Sequence, residues 1–311
     1  GAWGLGLEDP NVRSPYRGCQ ASDLEPRSLG GWVASSPRSR ASSPLGRGRG
    51  NQIRYARLMG KAEWGIDPEF FGPRHAHRED RIIGRLQRLV TTPGLHLECA
   101  AGVGSLSLTL ALGGHTVVSA DLSLRSLRVL TDRAASAGVS DRVLAVVADI
   151  TALPFESESF ASATSAETLE HVPDHEDAVA ELARVLASGG WLVGTVPAGP
   201  QQWSDWDEWA GHLRRYSGDE MEEILACAGL EPEAVVWGWP MLRLYDDLFL
   251  KWVNRRRLQH DGEVGSDLSL STISALGRRR WLVAMVRSVF GIDRLFDGLP
   301  WGVGLLFAAR K

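Results

Sequence analysis

The run His96-Leu97-Glu98-Cys99-Ala100-Ala101-Gly102-Val103-Gly104 leaves few folds open to this chain. Residues 95–99 predict a short buried strand that passes directly into a turn of small residues, and residues 105–112 predict a helix that starts at once. Small residues let backbone approach a ligand closely, and a helix start leaves N–H groups free to face it. A second strand over residues 116–120 ends on Asp121, about where nucleotide-binding βαβ units place an acid for ribose hydroxyls. The pattern predicts a parallel sheet that binds an adenosine-type ligand at the carboxyl ends of its strands.

Charge narrows the ligand. Glu98 reads as part of the turn, where a dinucleotide would place its pyrophosphate; a carboxylate there repels phosphate and suits the ammonium and sulfonium of S-adenosylmethionine. The dinucleotide fingerprint also calls for glycine at 107, where this chain has Ser107. With LECAAGVG (97–104), VVSADLS (117–123), VVADITALPFESESF (146–160), AETLEHVPD (166–174), ELARVLASGGWLVGTVP (181–197) and GHLRRYSGDEM (211–221) in this order, the chain from about Arg81 onward resembles the class I S-adenosylmethionine-dependent methyltransferases, in their small-molecule, type 11-like group. The resemblance implies an α/β fold: a Rossmann-like, seven-stranded, mostly parallel sheet with helices on both faces. It implies that Glu98, Ala100, Gly102 and Gly104 cradle the methionine part of the cofactor. Asp121 would hold the ribose hydroxyls with Leu122 against adenine, Asp149 the adenine amino group with Ile150 beside it, and Ser165 joins the cofactor set. Two positions depart from the family pattern. Ala100 stands for its first glycine, which requires a negative φ there, and Ala161 stands for its usual acid.

The remaining pattern alternates strand and helix, which implies a parallel sheet covered on both faces. A helix over residues 79–90 places Ile82, Ile83, Leu86 and Leu89 at helical spacing. Ser123 caps a helix ending near Gly138, residues 143–148 form a strand closing on Asp149, and residues 160–165 form another. A helix over residues 174–187 stops at Gly189-Gly190, followed by a strand over 191–196. Ser217 and Glu220 form a capping box on a helix ended by Gly229. Strands over 234–237 and 302–309 complete the sheet. Between them, residues of about 241–300 form an insertion with two apolar helices beside the basic runs 255–257 and 278–280. It reads as a lid over the acceptor site, whose helices either meet a membrane surface peripherally or simply pack.

With 311 residues and 44% hydrophobic, the chain can bury a substantial core. A net charge of −4 argues against general nucleic-acid binding. Cys19, Cys99 and Cys227 lack metal-binding spacing and suit a reducing compartment. With no bilayer-length apolar run and no leader pattern, a cytoplasmic protein is expected. Residues 1–50, rich in Ser, Gly, Pro and Arg, predict a disordered extension before a domain over 51–311. Tyr55, Trp64, Phe70 and Phe71 either line the site or clamp the domain.

Methyl transfer asks the protein for orientation and, at an O–H or N–H acceptor, for a base. His171, in the segment after the fourth strand, is the first candidate, because an imidazole can take a proton near neutral pH; a role in ordering the loop is the other reading. His212 is the second candidate. Arg214, Arg215 and Tyr216 either hold the acceptor or lock their loop onto the fold. Trp203, Trp206 and Trp209 recur every third residue, which suits packing or stacking, with Trp203 taken as an acceptor contact. No metal ligands are expected. The function implied is methylation at O or N of a small-molecule or lipid- or glycan-linked acceptor; the alternative is a catalytically inactive S-adenosylmethionine-binding module acting through partners.

Overall fold

Leu95–Cys99 (β1) is flanked by two parallel strands in matched register: Cys99 lies opposite Ala120 of Thr116–Asp121 (β2) and opposite Ser165 of Phe160–Ala166 (β4). The residues that follow these positions therefore leave the sheet together at one edge. The computed structural model describes residues 72–252 and 279–311, all within one compact unit that runs to Lys311. Val143–Val147 (β3) pairs with β2, and Leu186–Pro197 (β5) with β4, both parallel. Gly304–Arg310 (β7) runs antiparallel between β5 and Glu231–Trp237 (β6), giving the order β3-β2-β1-β4-β5-β7-β6. The order reverses between β1 and β4, the switch point where open α/β sheets bind ligands outside their carboxyl ends.

The helices cover both faces. Successive β2 residues alternate between two cores: Val118 belongs to the core that also holds Leu182 of His175–Val185 (α4) and Met221 and Leu225 of Gly218–Cys227 (α6), whereas Val117 joins the opposite face. That second core takes Ile82 and Leu86 from Pro73–Leu89 (α1), Leu106 and Leu110 from Ser105–Leu112 (α2), and Leu127 and Leu130 from Leu124–Ser136 (α3). The Ser123 cap and the Ser217–Glu220 capping box form as the sequence predicts.

Three boundaries differ from the sequence reading. Helix α1 starts six residues earlier than residue 79, because Pro73 supplies an N1 start that its polar, His-rich first turn conceals. Helix α4 stops at Val185, not at the glycine pair: Leu186 is already extended and pairs with Phe160, so β5 begins before an irregularity and continues at Trp191. Strand β6 begins at Glu231.

The insertion joins β6 to β7 at the carboxyl edge, as expected. Met241–Tyr245 (α7) continues through one π turn, Asp246–Leu250, and Arg280–Phe290 (α8) follows the undescribed residues 253–278. Asp293, 1% exposed, accepts the Met241 and Leu242 N–H groups at 2.7 and 2.9 Å and so caps α7 from the far end of the insertion. The expected apolar stripe divides: Leu242 is buried, whereas Leu248, Phe249 and Trp252 are exposed. Residues 1–50, the aromatics Tyr55, Trp64, Phe70 and Phe71, and the basic run 255–257 lie outside the described residues.

Candidate active site

The turn after β1 is held by backbone. Ala101 N–H reaches Ala120 O at 3.1 Å, and Gly104 N–H reaches Ala101 O at 2.8 Å. Gly102 and Gly104 have φ of 54° and 76°, and a Cβ on Gly104 would lie 2.5 Å from Leu130, so that position requires glycine. Ala100 overturns its expectation. Its φ is 57°, left-handed, so the chain turns here as the family glycine would and carries the steric cost of a Cβ.

Asp121 locks this turn to β2. Its Oδ2 accepts Gly102 N–H at 2.8 Å and its Oδ1 accepts Ser123 N–H at 2.7 Å. Burial raises its pKa against those two bonds. Each oxygen keeps a lone pair, so the carboxylate can still accept a ligand hydroxyl. Leu122 beside it is exposed, Ile150 is buried, and Asp149 Oδ1 accepts both the N–H and the O–H of Thr151 at 3.0 and 2.8 Å. Ser165, at the end of β4, buries its hydroxyl with no partner.

Glu98 differs from its sequence reading. It is a β1 residue, 6% exposed, whose carboxyl points toward α2 and accepts the Ser107 hydroxyl; Ser107 in turn lies 2.6 Å from the Ser119 hydroxyl. Burial pushes its pKa up to about 8. Glu98 therefore acts from beneath the turn through Ser107, a residue noted in the sequence only for not being glycine. Helix α1 adds groups that the sequence reading missed. Glu79 accepts the Ser105 hydroxyl at the start of α2, His75 Nε2 lies 3.0 Å from Glu79, and Arg78 pairs with Glu167 at 3.5 Å. These side chains precede the apolar stripe of α1, and only Pro73 signals that their segment is helical.

The opposite side of the site begins where β4 ends. Glu167 has a strained φ of 50°, and a single 3₁₀ turn, Leu169–His171, follows. Asp207, in Asp205–Ala210 (α5), is fully buried and accepts five hydrogen bonds from three residues. It accepts Ser204 N–H at 2.8 Å, His212 Nδ1–H at 2.8 Å, and both Nε and Nη2 of Arg215 at 2.8 and 3.0 Å. The fifth comes from the Ser204 hydroxyl, at 3.0 Å. Burial alone would raise its pKa, but the bonds from His212 and Arg215 outweigh it and hold the carboxyl well below the usual range. A carboxylate only accepts, so His212 carries its proton on Nδ1 and presents a bare Nε2. His171 donates from Nδ1 to Gly211 O at 3.2 Å and likewise presents Nε2; the two rings meet edge-on at 4.9 Å. Burial, with His212 adding, pushes the His171 pKa down to about 4, so it stays neutral near pH 7 and does not take up a proton as readily as expected.

Arg214, Arg215 and Tyr216 do not form an acceptor clamp. Arg214 donates to the carbonyls of Val172 and Pro173, Arg215 is bidentate on Asp207, and Tyr216 is fully buried with its hydroxyl 3.1 Å from His175 Nδ1. These groups lock the loop. Trp203, 41% exposed, keeps a face open.

Residues 97–194 match the family model described as a methyltransferase domain. Over this stretch the chain is similar to methyltransferase domains. The domain is 32% identical over 148 residues to methyltransferase GfsG of Streptomyces halstedii, covering 46% of this chain and 53% of that protein. It is 31% identical over 164 residues to the 27-O-demethylrifamycin SV methyltransferase of Amycolatopsis mediterranei, covering 50% and 60%. The chain thus spans little more than half the length of these curated relatives. Among solved structures, the methyltransferase fold is shared with Haemonchus contortus phosphoethanolamine N-methyltransferase 2 in complex with S-adenosyl-L-methionine, at a TM-score of 0.55 and 19% identity, over 86% of this chain and 59% of that one.

Proposed function

We propose that this chain is an S-adenosylmethionine-dependent methyltransferase acting on an oxygen or nitrogen of a small-molecule or lipid- or glycan-linked acceptor. One observation carries the reading: the backbone turn locked by Asp121 and the Asp207–His212 pair follow strands that end at the same edge of the sheet, beside its switch point.

The residues present fit the cofactor. Asp121 accepts ribose hydroxyls, the Ser165 hydroxyl lacks a protein partner, and the glycine turn offers backbone without side chains. Glu79 and Asp121 give this side a negative field, which suits a ligand carrying an ammonium and a sulfonium, while Glu98, raised to about 8, is mostly neutral near pH 7. When bound, the cofactor supplies a methyl group already activated by positive sulfur. What is left for the protein is to aim the acceptor and receive its proton. His212 is the better oriented acceptor of that proton, since Asp207 fixes its tautomer and steadies the charge that develops. His171 lines the same position, and Trp203 offers a face on which an acceptor can lie. The exposed Leu248, Phe249, Trp252, Trp281 and Met285 of the insertion are where an apolar acceptor, or the membrane surface that carries it, would be met.

The test is calorimetry of the whole chain with S-adenosylmethionine, S-adenosylhomocysteine and NAD. The reading expects binding of the first two and none of the third; NAD binding with no response to S-adenosylhomocysteine overturns it.

A further inference from the structure

We propose that Glu170, His171 and His212 form a binding site for one divalent metal ion of the zinc class. The inference rests on the proposed methyl transfer only for the use of the site, not for its existence.

Three observations converge. One ligating atom from each residue lies within 4.8 Å of the other two, and no other such group of three occurs among the described residues. Glu170 is fully buried, neither of its carboxyl oxygens has a hydrogen-bond donor, and Oε1 lies 4.0 Å from His171 Nε2. A buried carboxyl without donors is costly to ionise unless a cation faces it. Arg78 and Arg215, the guanidinium groups of this neighbourhood, are already paired with Glu167 and Asp207. Finally, both imidazoles are held from behind, His171 by Gly211 O and His212 by the Asp207 carboxylate, so that each turns a bare Nε2 toward the same position. A hydrogen-bonded Nδ1–H behind a ligating Nε2 is the usual outer shell of a metal-bound histidine, and carboxylate–histidine is one of its recurring forms.

Two imidazole nitrogens and one carboxylate oxygen suit Zn²⁺ and its neighbours rather than Mg²⁺ or Ca²⁺, which prefer oxygen alone. Zn–N distances of about 2.0–2.1 Å put tetrahedral ligand atoms about 3.3 Å apart, so side-chain rotations of about 1 Å close the site. Three protein ligands leave a coordination position open, which is the arrangement of catalytic rather than structural sites. In the metal-loaded state both Nε2 atoms are on the ion, so an acceptor hydroxyl taking the open position would be made more acidic by the metal and release its proton to solvent, in place of transfer to His212. The sequence hides the site because Glu170 and His171 are adjacent but His212 lies forty-one residues on, brought back by the loop that Arg214 and Arg215 pin.

The chelator-treated chain, without cofactor, is titrated with Co²⁺ and followed by its visible ligand-field bands. One equivalent is expected, displaced by Zn²⁺. Glu170→Gln, His171→Asn and His212→Gln should each weaken Co²⁺ binding by about 100-fold or more, and Asp207→Asn by about 10- to 100-fold. X-ray absorption of the Zn²⁺-loaded native chain reads the ligands without any variant: a nitrogen and oxygen shell with two imidazoles is expected. Absence of stoichiometric binding, a sulfur ligand, or binding undiminished in all three variants overturns the site. S-Adenosylhomocysteine affinity, measured separately on the metal-free protein, reports on the proposed methyl transfer. Its loss with Co²⁺ binding intact would sink that reading and leave the metal site standing; the reverse would sink the metal site alone.

Discussion

The turn side of the site comes from one contiguous run, residues 98–123, and its groups are mostly backbone held by backbone. The side after β4 is assembled from residues 167–171 and 203–216, with α1 and the insertion packed nearby, and its groups are charged side chains held by one another. The first design is set by local geometry: remove one side chain and the loop still turns. The second is a network in which each member leaves another unpaired when removed. The two sides should therefore break differently, the turn side losing ligand affinity and the network side losing stability and turnover together.

Asp207→Ala should produce the largest effect. It leaves Arg215 without its bidentate partner and His212 without orientation in a fully buried setting, where breaking a buried ion pair from one side costs about 3–5 kcal/mol. Denaturant unfolding measures it, and a loss under 1 kcal/mol would mean that the network is no more than an ornament of the fold. The depressed Asp207 pKa gives the sign with pH. Its contribution is present above the unfolded value near 4 and fades as the pH falls toward the lower folded value.

His212→Ala should then lower turnover by about 10²-fold or more while S-adenosylmethionine affinity stays within about twofold. His171→Ala, judged on the same assay, separates the two imidazoles. A larger loss at His171 than at His212 would move the proton acceptor to the residue without a carboxylate behind it.

On the turn side, Asp121→Ala should weaken S-adenosylmethionine binding by about 1.5–3 kcal/mol, the scale of hydrogen bonds to a charged group, with little change in turnover at saturating cofactor. Equal losses in affinity and turnover would erase the contrast between the two sides.

How well each side could be read follows from the same contrast. Leu95–Cys99, Ser105–Leu112 and the Asp121 strand end were legible because strand, turn and helix signals there are consecutive. His171 and His212 were visible as residue types near the right strand, but their meeting was not, since it depends on Asp207, Arg214 and Arg215 folding the loop back. The same arginines read from sequence as either an acceptor clamp or a loop lock; a free guanidinium and one pinned to a carbonyl look alike until the loop is folded. Glu98 was recognised as important and misplaced, because spacing alone does not say on which side of the turn a strand residue points.

The sheet offers a smaller effect that neither side should feel. His96 is fully buried between the hydroxyls of Ser162 and Thr164, at 2.8 and 2.9 Å, and burial pushes its pKa down to about 3. A histidine whose folded pKa lies below its unfolded value of about 6.5 stabilises fully above pH 6.5 and loses that contribution as the pH falls toward 3, by about 1.4 kcal/mol per pH unit. His96→Gln should flatten the stability–pH slope between pH 6.5 and 5 by that amount. An unchanged slope would assign the acid sensitivity to the other lowered imidazoles, His77 and His171, both at about 4.

The smallest effect tests whether the turn side is set by backbone alone. Ala100 holds a φ of 57°, a conformation glycine adopts freely, and a left-handed residue with a Cβ costs about 1–2 kcal/mol. Glycine removes that cost but also gives the unfolded chain more freedom, which returns roughly 0.5–1 kcal/mol. Ala100→Gly should therefore stabilise the fold by about 0.5–1 kcal/mol, read from the unfolding midpoint, and leave S-adenosylmethionine affinity within about twofold. If the variant is instead less stable, the alanine methyl makes a contact worth more than its strain. The turn would then be a side-chain device like the network across from it, and the contrast between the two sides would fail at its simplest residue.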